Sequence, residues 1–443
     1  MGAARGAAVP GASHDTGLDM SGIRRTRLGS GLRVVTEALP ELRSVTLGAW
    51  VGSGARDEQG AEWGASHFLE HLLFKGTDRR SAREIAEAIE SVGGEMNAFT
   101  AHEQTVFYVR VPDVQLEAAF DVLADVLWNP AFRVDDVESE RRVILEEIGM
   151  REDTPDDLVH DLFASAIFPD HPLGREVLGS DASITAMARD DIAAYHSAHY
   201  RPSNVVFAVA GNLTHERVLE LVDARFPSAD GSRPPRPRPG VVAPQRLLVL
   251  SRDTEQAHVV TGVRALAALD PDRYALTVVN QVLGGGMSSR LFQEIRETRG
   301  LAYSVFSYHA SFDDTGYVAI YAGTAPEHVP ETLSVIDGEL DRLVREGLSD
   351  AEIDAAKGHL VGSLAMSLET SASRMRRLGR SELIEGEIPS LEELVARIAM
   401  VTSDDVARVV DRVFAGAPRT LAVVGPHSAS EFASSAAGGL PDA

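Results

Sequence analysis

Apolar and polar positions alternate over residues 44–51 (SVTLGAWV) and again over 258–265 (HVVTGVRA), a period of two that predicts strands. Each is followed by a run with helical spacing, over 62–75 and 272–282, and then by a strand pair, NAFTAHEQTVFYVRV from Asn97 and YSVFSYHASFDDTGYVAIYAG from Tyr303. Helices at 114–127 and 328–345 come next. Both series close on a helix and a strand, DDIAAYHSAHYRPSNVVFAVAGN in one and SDDVARVVDRVFAGAPRTLAVVGP in the other. This order predicts an α+β fold of two homologous repeats, each a mainly antiparallel sheet packed with helices. Chance likeness of element order is the competing reading.

Between the repeats lies SADGSRPPRPRPGVVAPQ, residues 228–245, whose five prolines predict an extended, semi-rigid linker. The expected division is a tail over 1–20, a first domain over 21–227, the linker, a second domain over 246–427 and a small-residue tail over 428–443. The first twenty residues carry Pro10, Asp15 and Asp19 and no apolar run of signal-peptide length. No stretch approaches the ~18 consecutive apolar residues of a membrane helix, so a cytoplasmic protein is expected.

Composition narrows the chemistry. The 443 residues are 44% apolar and 24% charged, as in globular chains, and contain no cysteine. Thiolate zinc clusters, iron–sulfur sites and cysteine nucleophiles are excluded, so any metal is held by His, Asp or Glu. With 42 basic and 66 acidic residues the formal charge is −24, which argues against nucleic acid and favours neutral or basic partners.

Within the first predicted helix stands His67-Phe68-Leu69-Glu70-His71. Positions i, i+3 and i+4 share a helix face, so two imidazoles and a carboxylate converge. Two such histidines can chelate one zinc, and a glutamate that is not a ligand can take a proton from water; this is the inverted form of the zincin string. A helix burying Leu69, Leu72 and Leu73 with a solvated polar face is the competing reading. A catalytic zinc needs a third protein ligand. The predicted helix 137–150 (VESERRVILEEIGM) offers Glu138, Glu140, Glu146 and Glu147. Residues seven apart differ in direction by about 20°, so Glu140 and Glu147 share a face and Glu146 points away. One of that pair can ligate zinc while the other orients a ligand imidazole. A solvated acidic face is again the alternative.

HFLEHLLFKGT followed by ESERRVILEEIGMREDTP resembles the M16 metallopeptidases, the pitrilysin family, and its short processing-peptidase-like subfamily, from about Leu28 to Gly425. The resemblance implies one Zn2+ per chain on His67, His71 and Glu147, Glu70 as general base, and Glu140 supporting the site from behind. It also implies that Arg296 and Tyr303, in RETRGLAYSVFS, are directed at the substrate; a guanidinium and a phenol suit a developing oxyanion. The strand of Asn97, Ala98 and Phe99 is similar to the exposed edge to which the family adds its peptide as a further strand. The second repeat, reading VVNQVLGGGMSSRLFQEIRE, carries no such motif, and Gly284-Gly285-Gly286 lacks the Lys-Ser/Thr ending of a phosphate loop, so a flexible loop is expected there. His196 and His199, without a carboxylate partner, read as structural.

The function expected is zinc-dependent endopeptidase action on short or unfolded peptides, basic ones favoured by charge. The alternatives are a non-catalytic scaffold or partner subunit and a zinc hydrolase of non-peptide substrates. Long relatives close four repeats around the peptide with the zinc helix and the Arg/Tyr pair on opposite shells. Two repeats here imply a homodimer with shared sites, or a heterodimer with a related subunit.

Overall fold

The computed structural model describes residues 12–15, 22–226, 232 and 234–432. The first sheet holds β1 (Ala12–Asp15), β2 (Ile23–Leu28), β3 (Arg33–Ala38), β4 (Ser44–Val51), β5 (Glu95–Thr100), β6 (Thr105–Pro112) and β7 (Val205–Gly211), in the order β1-β2-β3-β7-β4-β6-β5. The second holds β8 (Leu247–Ser251), β9 (Ala257–Ala265), β10 (Ala302–Ser311), β11 (Gly316–Thr324) and β12 (Thr420–Gly425), in the order β10-β11-β9-β12-β8. Read from the opposite edge, the second sheet repeats β3-β7-β4-β6-β5 strand for strand. The directions repeat too, with one parallel pair, β3·β7 or β8·β12, and antiparallel pairing elsewhere in the shared core. The two predicted repeats are therefore one fold used twice, an α+β architecture with β1 and β2 added to the first copy.

Strand β7, VVFAVAG, is apolar and buried throughout because helices cover both of its faces. On one side Phe207 lies 4.9 Å from Phe120 and 5.0 Å from Phe226, ring to ring. On the other, Val206 and Ala208 pack with Trp50 against Met375 and Leu378 of the helix Ser371–Arg380.

That second helix belongs, by sequence, to the other repeat. The chain forms two compact units: one runs to Leu145 and adds Val177–Pro237 and Ser367–Ile388, the other comprises Glu146–Glu176, Arg238–Met366 and the chain from Pro389. The helix Pro155–Ile167, from the first half, in turn packs Val159, Phe163 and Ile167 against Val260, Ala319, Ala422 and Val424 of the second sheet. Each sheet is thus covered on one face by a helix from the other half, and the expected division into 21–227 and 246–427 is interleaved in space. The matching strands prepare for this with a glycine at the same, fifth place of the two alternating strings. A Cβ on Gly48 would stand 2.4 Å from Met375 Sδ, and one on Gly262 would stand 2.8 Å from Phe163 Cζ. Glycine in a strand interior here marks close approach of the covering helix.

The expected linker is extended without regular structure over 234–245. Most of both expected tails lies outside the described residues. Within them Ala12–Asp15 pairs with β2, and Ala429–Phe432 is a 3₁₀ turn burying Phe432. Among the described residues no helix is long and apolar enough to cross a membrane.

Candidate metal centre

The motif helix spans Ala65–Leu73, shorter than its apolar spacing suggested because Gly64 enters it with φ of 95° after two 3₁₀ turns. Glu58 caps its first turn, one oxygen accepting from the Gly64 N–H and the other from the Ser66 N–H, both at 2.8 Å. Phe68, Leu69, Leu72 and Leu73 are buried and fix the helix's rotation. The opposite face presents His67 and His71, whose rings stand 4.7 Å apart, centroid to centroid. Burial, and then the neighbouring His71, lowers the His67 imidazole to about 4. It is neutral at pH 7, the form that ligates a metal.

The acidic helix runs unbroken over Val134–Glu152. From it Glu147 brings an oxygen into the histidine pair, so that one ligand atom each from His67, His71 and Glu147 lies within 4.8 Å of the others. Two turns earlier Glu140 is buried, with Oε2 at 3.1 Å from His71 Nδ1 and Oε1 accepting from Lys75 Nζ at 2.7 Å. A carboxylate on Nδ1 fixes the ring and turns Nε2 toward the cluster. Two imidazoles and one carboxylate, three donors on two helices with no thiolate, are the set a catalytic zinc takes.

Glu70 shares the motif helix and accepts a 2.6 Å hydrogen bond at Oε2 from Thr100 Oγ1, at the end of β5. Thr100 and Lys75 went unnoticed in the sequence. Lys75 had a signal, four residues past His71 on the same face, whereas Thr100 is joined to Glu70 only by tertiary contact. Strand β5 is the last of its sheet, pairing with β6 through Asn97↔Tyr108, Ala98↔Phe107 and Phe99↔Val106. Asn97 is exposed, its Oδ1 accepting from the Ala98 N–H at 2.8 Å, while Phe99 sets its ring against Trp50.

Arg296 and Tyr303 belong to the other compact unit, where they meet each other. Arg296, in the π-helical turn Phe292–Thr298, lays its guanidinium 4.6 Å from the centre of the Tyr303 ring, and Tyr303 is 80% exposed at the start of β10. The expected glycine loop begins one residue later than its sequence suggests: Gly284 ends the helix Arg273–Gly284, where a Cβ would lie 2.4 Å from Ser307 N, and residues 285–289 are bends and turns. His196 and His199 are buried and bond Leu127 O and Ser53 Oγ, in keeping with structural roles.

An α+β repeat pair carrying a His-x-x-Glu-His helix and an acidic helix against it defines a class of metallopeptidase-like proteins, and the comparisons agree. The Insulinase (peptidase family M16) model matches residues 33–181, and the peptidase M16 inactive-domain model matches 186–360. An uncharacterized zinc protease of Streptomyces coelicolor is 49% identical over 412 residues, 91% of this chain and 90% of that one. Another, YmxG of Bacillus subtilis, is 39% identical over 395 residues, 88% of this chain and 96% of its own. A protease structure from Helicobacter pylori superposes with a TM-score of 0.85 at 24% identity, over 91% of this chain and 99% of that one, a likeness of fold. The chain belongs to peptidase family M16.

Proposed function

We propose that the chain is a zinc-dependent endopeptidase hydrolysing short or unfolded peptides. One observation carries this: ligand atoms of His67, His71 and Glu147 converge within 4.8 Å while Glu70, on the same helix face, is held by Thr100 and is not among them. In this reading the three hold one zinc, and Glu140 keeps the His71 ring in place. A zinc held there would supply a water of lowered pKa and a Lewis acid for the scissile carbonyl. Glu70 accepts the water proton on its carboxylate and delivers it to the leaving amine. Thr100 fixes the plane in which that carboxylate works. The peptide adds to the free edge of β5 along Asn97, Ala98 and Phe99, through main-chain hydrogen bonds indifferent to most side chains. Arg296 and Tyr303 steady the oxyanion.

A non-catalytic scaffold would have no use for an intact donor set, and relatives at 39–49% identity named zinc proteases favour the enzyme. The purified chain should contain one zinc and cleave a quenched peptide, chelation should stop cleavage, and Glu70→Gln should keep the metal while losing most hydrolysis. Metal-free protein, or cleavage indifferent to chelator, overturns the proposal.

The assembly that goes with this reading is a homodimer, each zinc facing Arg296 and Tyr303 of the partner subunit, with a heterodimer as runner-up. Mixing Glu70→Gln protein with Arg296→Ala/Tyr303→Phe protein should restore activity, because a mixed dimer holds one complete site. Exchange of subunits without recovery would sink the shared site.

A further inference from the structure

The proline-rich segment between the repeats puts a charged side chain into the first unit. Arg236 is 11% exposed: Nε donates to Asp57 Oδ1 at 2.9 Å, and Nη2 donates to Asp57 Oδ2 at 3.1 Å and to the carbonyls of Glu103 at 2.8 Å and Gly52 at 3.3 Å. Asp57 is buried, and Arg56, which is fully buried, donates to Glu103 Oε1 at 2.7 Å. Two guanidiniums and two carboxylates thus compensate each other away from water. A bidentate fork of this kind fixes direction as well as distance.

The two carboxylates sit on the two segments that frame Glu70. Asp57 immediately precedes Glu58, the cap of the motif helix. Glu103 lies in the turn joining β5, which ends on Thr100, to β6. The segments are stitched together by the Ala55 N–H to Ala101 O at 3.2 Å and the Arg56 N–H to His102 O at 2.7 Å. They lie so close that a Cβ on Gly54 would stand 2.1 Å from Ala101 O. One residue past Arg236 the first unit ends at Pro237, and Arg238 begins the second, pairing there with Asp313.

We propose that Arg236 is a positioning residue: it clamps the linker onto the helix-capping segment and the β5–β6 turn, and so holds Glu70 and Thr100 in register. Its kinetic consequence rests on the peptidase reading; its structural consequence does not. The test uses the full chain in three forms, wild type, Arg236→Ala and Arg236→Gln/Asp57→Asn. The last leaves Arg56 paired with Glu103 and strands no charge, so it tests the clamp even where the single variant fails to fold. Amide hydrogen exchange, zinc content and separate kcat and KM values on a quenched peptide are measured.

Faster exchange confined to 54–66 and 101–105, with zinc retained, is expected. With it, kcat should fall on the order of tenfold to a hundredfold while KM changes little, since small misplacement of a catalytic group has effects of that size. Wild-type protection of both segments in the double variant overturns the proposal, as does protection lost evenly over the chain, which would make Arg236 a general stabiliser. Faster local exchange with unchanged kcat also overturns it. If the wild type cleaves nothing, the peptidase reading fails, and exchange alone decides whether the clamp exists.

Discussion

Glu140 lies in the interior with one oxygen on the Nδ1 edge of His71 and the other on Lys75 Nζ, a short relay that ends on a proposed ligand. Glu147→Gln should therefore strip the metal outright, whereas Glu140→Gln should leave it bound about 10–100-fold more weakly, the range for loss of an outer-sphere partner. Competition with a chelating dye checks both, and equal losses would contradict the division of roles. His67 and His196 give a pH signature. Burial lowers each to about 4, from 6.5 in the unfolded chain. Between these values the unfolded state binds more protons, so stability is present above pH 6.5 and is lost as pH falls towards 4. The midpoint of thermal unfolding of the metal-free protein should drop across that window, and His196→Phe should flatten the slope. The motif was readable in the sequence because both histidines lie one turn apart on a single helix. Helical spacing alone makes Glu140 and Glu147 interchangeable, since equal facing does not say which one reaches the cluster; it is the family resemblance that separates their roles. Thr100 and Arg236 could not be read at all: their partners are 30 residues and more away and met only through the fold.

At the scale of elements, helix packing against β4 and β7 depends on atoms that are missing. A Cβ on Gly379 would fall 2.0 Å from Trp50 Nε1, inside a ring with no room to retreat. Gly379→Ala should accordingly destabilise the protein by roughly 1–3 kcal/mol, the usual penalty of overpacking, read as a lower denaturation midpoint at unchanged slope. An unchanged midpoint would mean that the helix Ser371–Arg380 shifts to make space. Strand periodicity and the repeat itself were plain in the sequence, because alternation and element order are local properties. The exchange of covering helices was not. An amphipathic helix announces that it has an apolar face, and nothing in its own residues names the sheet that will bury it.

For the whole molecule, the net charge of −24 sets a long-range field. Raising salt should lower kcat/KM for basic peptides more than for neutral ones, as attraction is screened over about 8 Å at physiological ionic strength. Equal sensitivity of the two would take charge out of substrate choice. The interleaved units bear on the chain's birth as well. Roughly 160 residues separate the end of β7 from Ser371, so at ribosomal speeds of 5–20 residues per second the first sheet waits about 10–30 s for the helix that will cover it. During that interval Trp50, Val206 and Ala208 lack the helix that covers them, a window in which a nascent chain is prone to stick to its neighbours or to be held by a chaperone. Cutting the gene at the linker would not yield two independent domains; each fragment would carry its partner's missing helix, and they would fold by trading.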